Sequence, residues 1–112
     1  MIVLYVLEGC PYCERALQML KMEKIKHKKV VVPRDDEKKN EYKRMCEMET
    51  FPMIFVKNPK SHKENEYLKI GGSSDLEAYI QKSKEFSQSN IPMDTFYAFY
   101  STMLSNNKNN KK

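Results

Sequence analysis

The chain has 112 residues and 40% of them are apolar, which is enough for one domain with one core and an appendage. Its longest apolar run, Ile2-Val3-Leu4-Tyr5-Val6-Leu7, falls far short of the roughly 18 residues of a membrane span and lacks the flanks of a signal peptide, so a cytoplasmic protein without a membrane partner is expected. Of the formal charge of +5, three lysines lie in Ser105-Asn106-Asn107-Lys108-Asn109-Asn110-Lys111-Lys112, which leaves +2 for the rest; basic and aromatic positions do not interleave, and no nucleic-acid partner is expected.

In chain order, residues 2–7 read as a fully buried strand, because the run is continuous and β-branched. Cys10-Pro11-Tyr12-Cys13 follows, and Cys13, Ala16, Leu17 and Leu20 then form a helical stripe that lies on a sheet. The basic stretch Lys26-His27-Lys28-Lys29 leads into a second short strand, Val30-Val31-Val32, stopped by Pro33. Asp35 is placed to cap a second helix, with Asp36 and Glu37 in its first turn and Tyr42, Met45 and Cys46 on one face. Met53-Ile54-Phe55-Val56 is a third strand, Asn58-Pro59 opens a polar hairpin loop, and Glu66-Tyr67-Leu68-Lys69-Ile70 is a fourth.

Gly71-Gly72 turns into Ser74-Asp75-Leu76-Glu77, which has the form of a capping box, with Ser74 at the cap and Glu77 three residues on. Leu76, Tyr79 and Ile80 continue that helix. The order β-α-β-α-β-β-α predicts a mixed sheet with helices packed on it. After a polar break at Ser87-Gln88-Ser89-Asn90, the positions Phe96, Phe99, Tyr100, Met103 and Leu104 predict a further helix over about 94–104 that packs on its own domain, followed by a disordered Asn/Lys tail at 105–112. The chain thus divides into a domain at 1–86 and a C-terminal extension at 87–112.

The dithiol carries the chemistry. Three cysteines, an odd number, argue against a secreted disulfide framework. In a reducing compartment, two thiols three positions apart after a strand are catalytic or metal-binding. Cys10 stands where a helix begins, and there the unpaired N–H groups and the macrodipole favour negative charge; the thiolate is the reactive form. A zinc site needs four ligands, and only Cys46, His27 and His62 remain, without paired spacing, so no metal is expected. Cys46 reads as a buried, inert cysteine, and both histidines as surface residues.

Three segments, Cys10-Pro11-Tyr12-Cys13, Thr50-Phe51-Pro52 and Gly71-Gly72-Ser73-Ser74-Asp75, together resemble the dithiol glutaredoxins over about residues 1–85. The resemblance implies a thioredoxin-like fold with a four-stranded mixed sheet flanked by helices. It also implies reduction of protein disulfides and glutathione mixed disulfides, with glutathione as co-substrate and disulfide-bonded or glutathionylated proteins as partners. Cys10 is then the nucleophile and Cys13 the resolving thiol, deeper in the helix and slower to ionise. Pro11 suits the first helical position. Tyr12 lines the groove for the tripeptide. Pro52 is cis, and the backbone of Phe51 pairs with the cysteinyl main chain of glutathione. Gly72 permits close approach, and Ser74 and Asp75 hold the γ-glutamyl end. A monomer is expected.

The chain also departs from the pattern. Leu7 and Glu8 stand where the family carries a basic residue before the nucleophile, and Glu49 precedes Thr50. Both changes predict weaker glutathione binding unless Lys39, Asn40 or Lys57 replaces the lost contact. An iron–sulfur role, known among relatives, is disfavoured by Pro11. A thioredoxin-like donor reduced by a flavoenzyme, and a non-enzymatic module whose aromatic C-terminal helix docks a partner, stay open as alternatives.

Overall fold

In the computed structural model, which describes residues 1–58 and 67–110, the elements are β1 (Ile2–Leu7), α1 (Pro11–Met22), β2 (His27–Val32), α2 (Asp36–Cys46), β3 (Met53–Lys57), β4 (Tyr67–Gly71), α3 (Ser73–Gln88) and α4 (Met93–Asn110). The strands form one mixed sheet in the order β2-β1-β3-β4. β1 runs parallel to β2 and antiparallel to β3, and β3 runs antiparallel to β4. The fold class expected from the sequence is therefore the one observed, with a four-stranded mixed sheet and flanking helices.

β1 is not buried on both faces. Ile2, Leu4 and Val6 are buried, whereas Val3, Tyr5 and Leu7 are only partly so. The buried face joins Ala16 and Leu20 of α1 and Leu76 and Ile80 of α3 in the core. The other face meets α2, a helix too polar to cover it: Tyr5 packs on Tyr42 with ring centroids 5.4 Å apart and on Phe55 at 6.1 Å. What α2 leaves uncovered is a cleft of about 590 Å³, lined by residues that include Val3, Tyr5, Val30, Cys46, Phe55 and Tyr67. Met45, expected on the buried face of α2, is 61% exposed at the rim of that cleft, while Cys46 beside it is buried as expected.

β2 begins at His27, earlier than its apolar residues suggest, because pairing with β1 runs from Ile2↔His27 to Leu7↔Val32. A ladder is made by the backbone, and an edge strand accepts Lys28 and Lys29 because their side chains reach solvent. Of the hairpin loop expected to open at Asn58-Pro59, residues 59–66, with His62, lie outside the described residues. Among the described residues no helix is long and apolar enough to cross a membrane.

α4 packs on α3. Phe96 and Tyr100 are buried, with ring centroids 5.2 and 5.0 Å from Tyr79, and Phe96 lies 4.9 Å from Phe86. Phe99 touches Phe86 but stays 43% exposed. The backbone of α4 is helical to Asn110, through most of the segment 105–112 that composition marks as a disordered tail. Aromatic packing supplies the nucleus, and extending a formed helix costs little per residue. Phe96→Ala should destabilise the protein by about 3–5 kcal/mol, and Phe99→Ala by markedly less. Urea denaturation followed by circular dichroism measures both.

Candidate active site

Each part of the site begins from a backbone demand. β1 ends at Leu7, and Gly9, at φ +74, turns the chain toward α1. Cys10 is the N-cap residue, at φ −88 and ψ 115, and Pro11 takes the first helical position. The Cys13 N–H donates to Cys10 Sγ at 3.3 Å. The thiol thus fills the role that a serine or aspartate oxygen plays at other caps, and a helix-end donor points at the sulfur. Cys10 is part-buried, Tyr12 is 63% exposed beside it, and Cys13, on the inner face of α1, is 1% exposed. Burial, and then the hydrogen bond with Cys10, push the Cys13 thiol up to about 12. The two thiols therefore differ as the sequence suggests: one is reachable at a helix cap, and the other is held as the neutral thiol in the core.

The sheet brings the remaining segments to this point. β1, β2 and β4 run in one direction, so their C-terminal ends share the sheet edge at which β3 begins. Pro52 lies just before β3, fully buried, and its peptide bond with Phe51 is cis. Gly72 lies just after β4, where an added Cβ would come within 4.0 Å of the Pro52 carbonyl oxygen. Asp75 Oδ2 accepts the Gly72 N–H at 2.9 Å.

The capping box expected at Ser74 and Glu77 does not form. α3 begins at Ser73 with Gly72 as its cap, and Asp75, at the third helical position, satisfies the cap N–H. Ser74 is an exposed residue of the first turn, and Glu77 pairs instead with Arg15 of α1 at 3.6 Å. Within the protein the crowding falls on Gly71, which has φ +125 and where a Cβ would collide with the Asp75 carboxylate.

Leu7 is part-buried and Glu8 exposed, and neither supplies a cation. Of the residues considered as replacements, Lys39 is tied to Asp36 at 3.3 Å. Lys57 lies at the opposite end of the sheet, where its N–H donates to the Met1 carbonyl at 3.0 Å. Asn40 is exposed on α2 and carries no charge. A cation that sequence reasoning missed contacts this loop: Arg34 Nε donates to the Glu8 carbonyl at 2.6 Å. Its signal was the parallel pairing itself, because Leu7↔Val32 places the chain after β2 beside the chain after β1. Among the described residues no group of three or more His, Cys, Asp or Glu side chains is arranged to hold a metal ion.

A dithiol at a helix cap, a cis-proline and a Gly-Gly turn into a helix thus stand at one edge of a four-stranded mixed sheet. The Glutaredoxin family profile matches residues 2–59, and the chain belongs to that family. A glutaredoxin from Brucella melitensis is similar at 27% identity, covering 77% of this chain and 84% of its own, with a TM-score of 0.55. Glutaredoxin 1 from Francisella tularensis, solved with cacodylate, shares the fold at 22% identity, over 75% and 95% of the two chains, with a TM-score of 0.59. The trimeric glutathione transferase TDR1 of Leishmania shares it at 24% identity and a TM-score of 0.58, over 74% of this chain and 18% of that one. No curated protein sequence matches the chain. Family and fold together support a thiol–disulfide oxidoreductase.

Two outcomes test this geometry. The folded state keeps the Cys13 proton up to about 12, whereas the unfolded chain loses it near the ordinary value of 9.0. The stability this contributes is complete below pH 9 and is lost as pH rises from 9 toward 12. Urea midpoints at pH 8, 9.5 and 10.5 should fall less steeply for Cys13→Val than for the wild type. Gly71→Ala should cost on the order of 1–3 kcal/mol, because a side chain at that φ is strained and displaces Asp75. Thermal melts of the two proteins check it.

Proposed function

We propose that the protein is a glutathione-dependent thiol–disulfide oxidoreductase acting through Cys10 and Cys13. The observation that carries this reading is the capped sulfur: Cys10 Sγ receives the Cys13 N–H at 3.3 Å while Cys13 itself is buried. An accessible sulfur at a helix cap attacks, and a buried thiol one turn later resolves.

With a glutathione mixed disulfide, the Cys10 thiolate attacks the glutathione sulfur. The Cys10–glutathione disulfide forms, the old disulfide breaks, and the target leaves as a thiolate that takes up a proton. A second glutathione thiolate then attacks the bound glutathione sulfur, which releases oxidised glutathione and restores Cys10. With a protein disulfide, Cys10 forms a mixed disulfide with the target. Cys13 then gives up its proton and attacks Cys10 Sγ, the target's second thiol leaves, and two glutathiones reduce the Cys10–Cys13 bond. Part of what holds Cys13 protonated is its hydrogen bond with the Cys10 sulfur. Once Cys10 is in a disulfide that contribution weakens, so Cys13 becomes easier to ionise when it is needed.

Glutathione lies along the sheet edge from Cys10 toward α3. Tyr12 borders it, the Phe51 backbone pairs with its cysteinyl main chain, and Gly72 lets it approach. The first-turn N–H groups of α3, at Ser74 and its neighbours, take the γ-glutamyl carboxylate. Asp75 faces the ammonium.

In an assay coupled through glutathione reductase and NADPH, the wild type should reduce both a glutathionylated peptide and a disulfide-bonded protein. Cys10→Ser should abolish both activities. Cys13→Ser should keep the first and lose the second. Turnover with a thioredoxin-type flavoenzyme but none with glutathione would refute the reading.

A further inference from the structure

We propose that the cleft between α2 and the sheet is a binding site for a small aromatic acid, with its ring seated on the sheet and its carboxylate held at the rim by Lys28 and Lys69. The site is separate from the dithiol, and it does not rest on the oxidoreductase reading above.

The strand register builds it. Val3 of β1 pairs with Lys28 of β2 on one side and with Phe55 of β3 on the other, and Phe55 pairs with Lys69 of β4. Residues paired directly across strands project from the same face. One row of side chains thus crosses the whole sheet, with a lysine at each end and Val3 and Phe55 between them. Tyr5 and Val30, paired in the same way, extend the apolar floor along β1. Cys46, at the end of α2, forms part of the wall. The row lies near the start of β1, whereas Cys10 follows the end of that strand. No residue of the dithiol edge lines the cleft.

Size and charge name the occupant. A volume of about 590 Å³ lies within the roughly 300–1,000 Å³ of small-molecule sites. Burial is the main cause that raises both the Tyr5 phenol and the Cys46 thiol, so floor and wall stay neutral at pH 7. The charged side chains of the lining are Lys28, Lys69 and Glu47, two cations against one carboxylate. Lys69 Nζ donates to the Glu47 carbonyl at 3.1 Å, which uses one of its three N–H donors. Lys28 is exposed, and no carboxylate among the described residues pairs with either lysine. Apolar walls keep the field of these ammonium groups focused on the cleft. An inorganic anion would leave the aromatic floor uncovered, and a neutral hydrocarbon would leave the lysines unused. A flat ring that carries one carboxylate satisfies both.

The test titrates the full chain with naphthoate and with its neutral counterpart naphthamide, followed by backbone amide NMR. Naphthoate should shift the amides of Val3, Tyr5, Val30 and Phe55 saturably, and should bind about two- to fivefold more tightly than naphthamide, the range of one exposed charge contact. Lys28→Gln, on an exposed edge position, should weaken naphthoate by a similar factor and leave naphthamide unchanged. Added salt should shrink the preference in the wild type. The proposal is overturned if naphthoate does not saturate at millimolar concentration, or if the shifts gather at Cys10 and Gly72 instead. Equal binding of the two probes, or unchanged naphthoate affinity in Lys28→Gln, overturns it as well. Shifts of the same amides on diluting the protein alone would make a second copy of the chain the occupant, and would overturn it too.

Discussion

Everything at the dithiol depends on the two ladders of β1. As an inner strand it is hydrogen-bonded on both sides, in parallel to β2 and antiparallel to β3. A slip of one residue in either ladder would turn Ile2, Leu4 and Val6 away from the core, so burial fixes the register. With register fixed, the ends of β1, β2 and β4 and the start of β3 have one place to be. Cys10, the cis-proline and the Gly-Gly turn come from segments far apart in sequence, and strand pairing with hydrophobic burial brings them to one edge.

The contrast between the two thiols is a consequence of helix geometry. A cap residue projects at the helix end, while the residue three positions later belongs to the inner stripe with Ala16 and Leu20. The same helix therefore leaves one sulfur within reach of solvent and buries the other. Among the described residues, two ion pairs reach α3 from α1 and its C-cap: Arg15 with Glu77 at 3.6 Å and Glu23 with Lys84 at 2.6 Å. Exposed pairs like the first contribute little energy, so the orientation of α1 rests on its packed face.

Where the sequence was legible, one local signal carried the information. Cys10-Pro11 announces a helix start, the β1 run announces a strand, and the Phe96-Tyr100 spacing announces a packed helix. The errors have local causes too. Ser74-x-x-Glu77 looks like a cap only if the glycines before it are read as a loop. In the fold Gly72 is the cap, and Asp75 answers it, because Gly71 reaches a φ closed to other residues. The start of β2 was missed because His27, Lys28 and Lys29 pair through their backbones. The contact between Arg34 and Glu8 was invisible because the two lie 26 positions apart in sequence, and it exists only once strand pairing is known.

The lysines of β2 have a consequence outside the reaction. β2 is an edge strand, with unpaired backbone groups along its free side, and that is where another chain would add itself to the sheet. Lys28 and Lys29 sit on that strand and are exposed. A second copy that approached in the same way would bring like charges together before any ladder bond could form. Part of the chain's basic character is thus spent along a free sheet edge, where like charges oppose pairing through that strand.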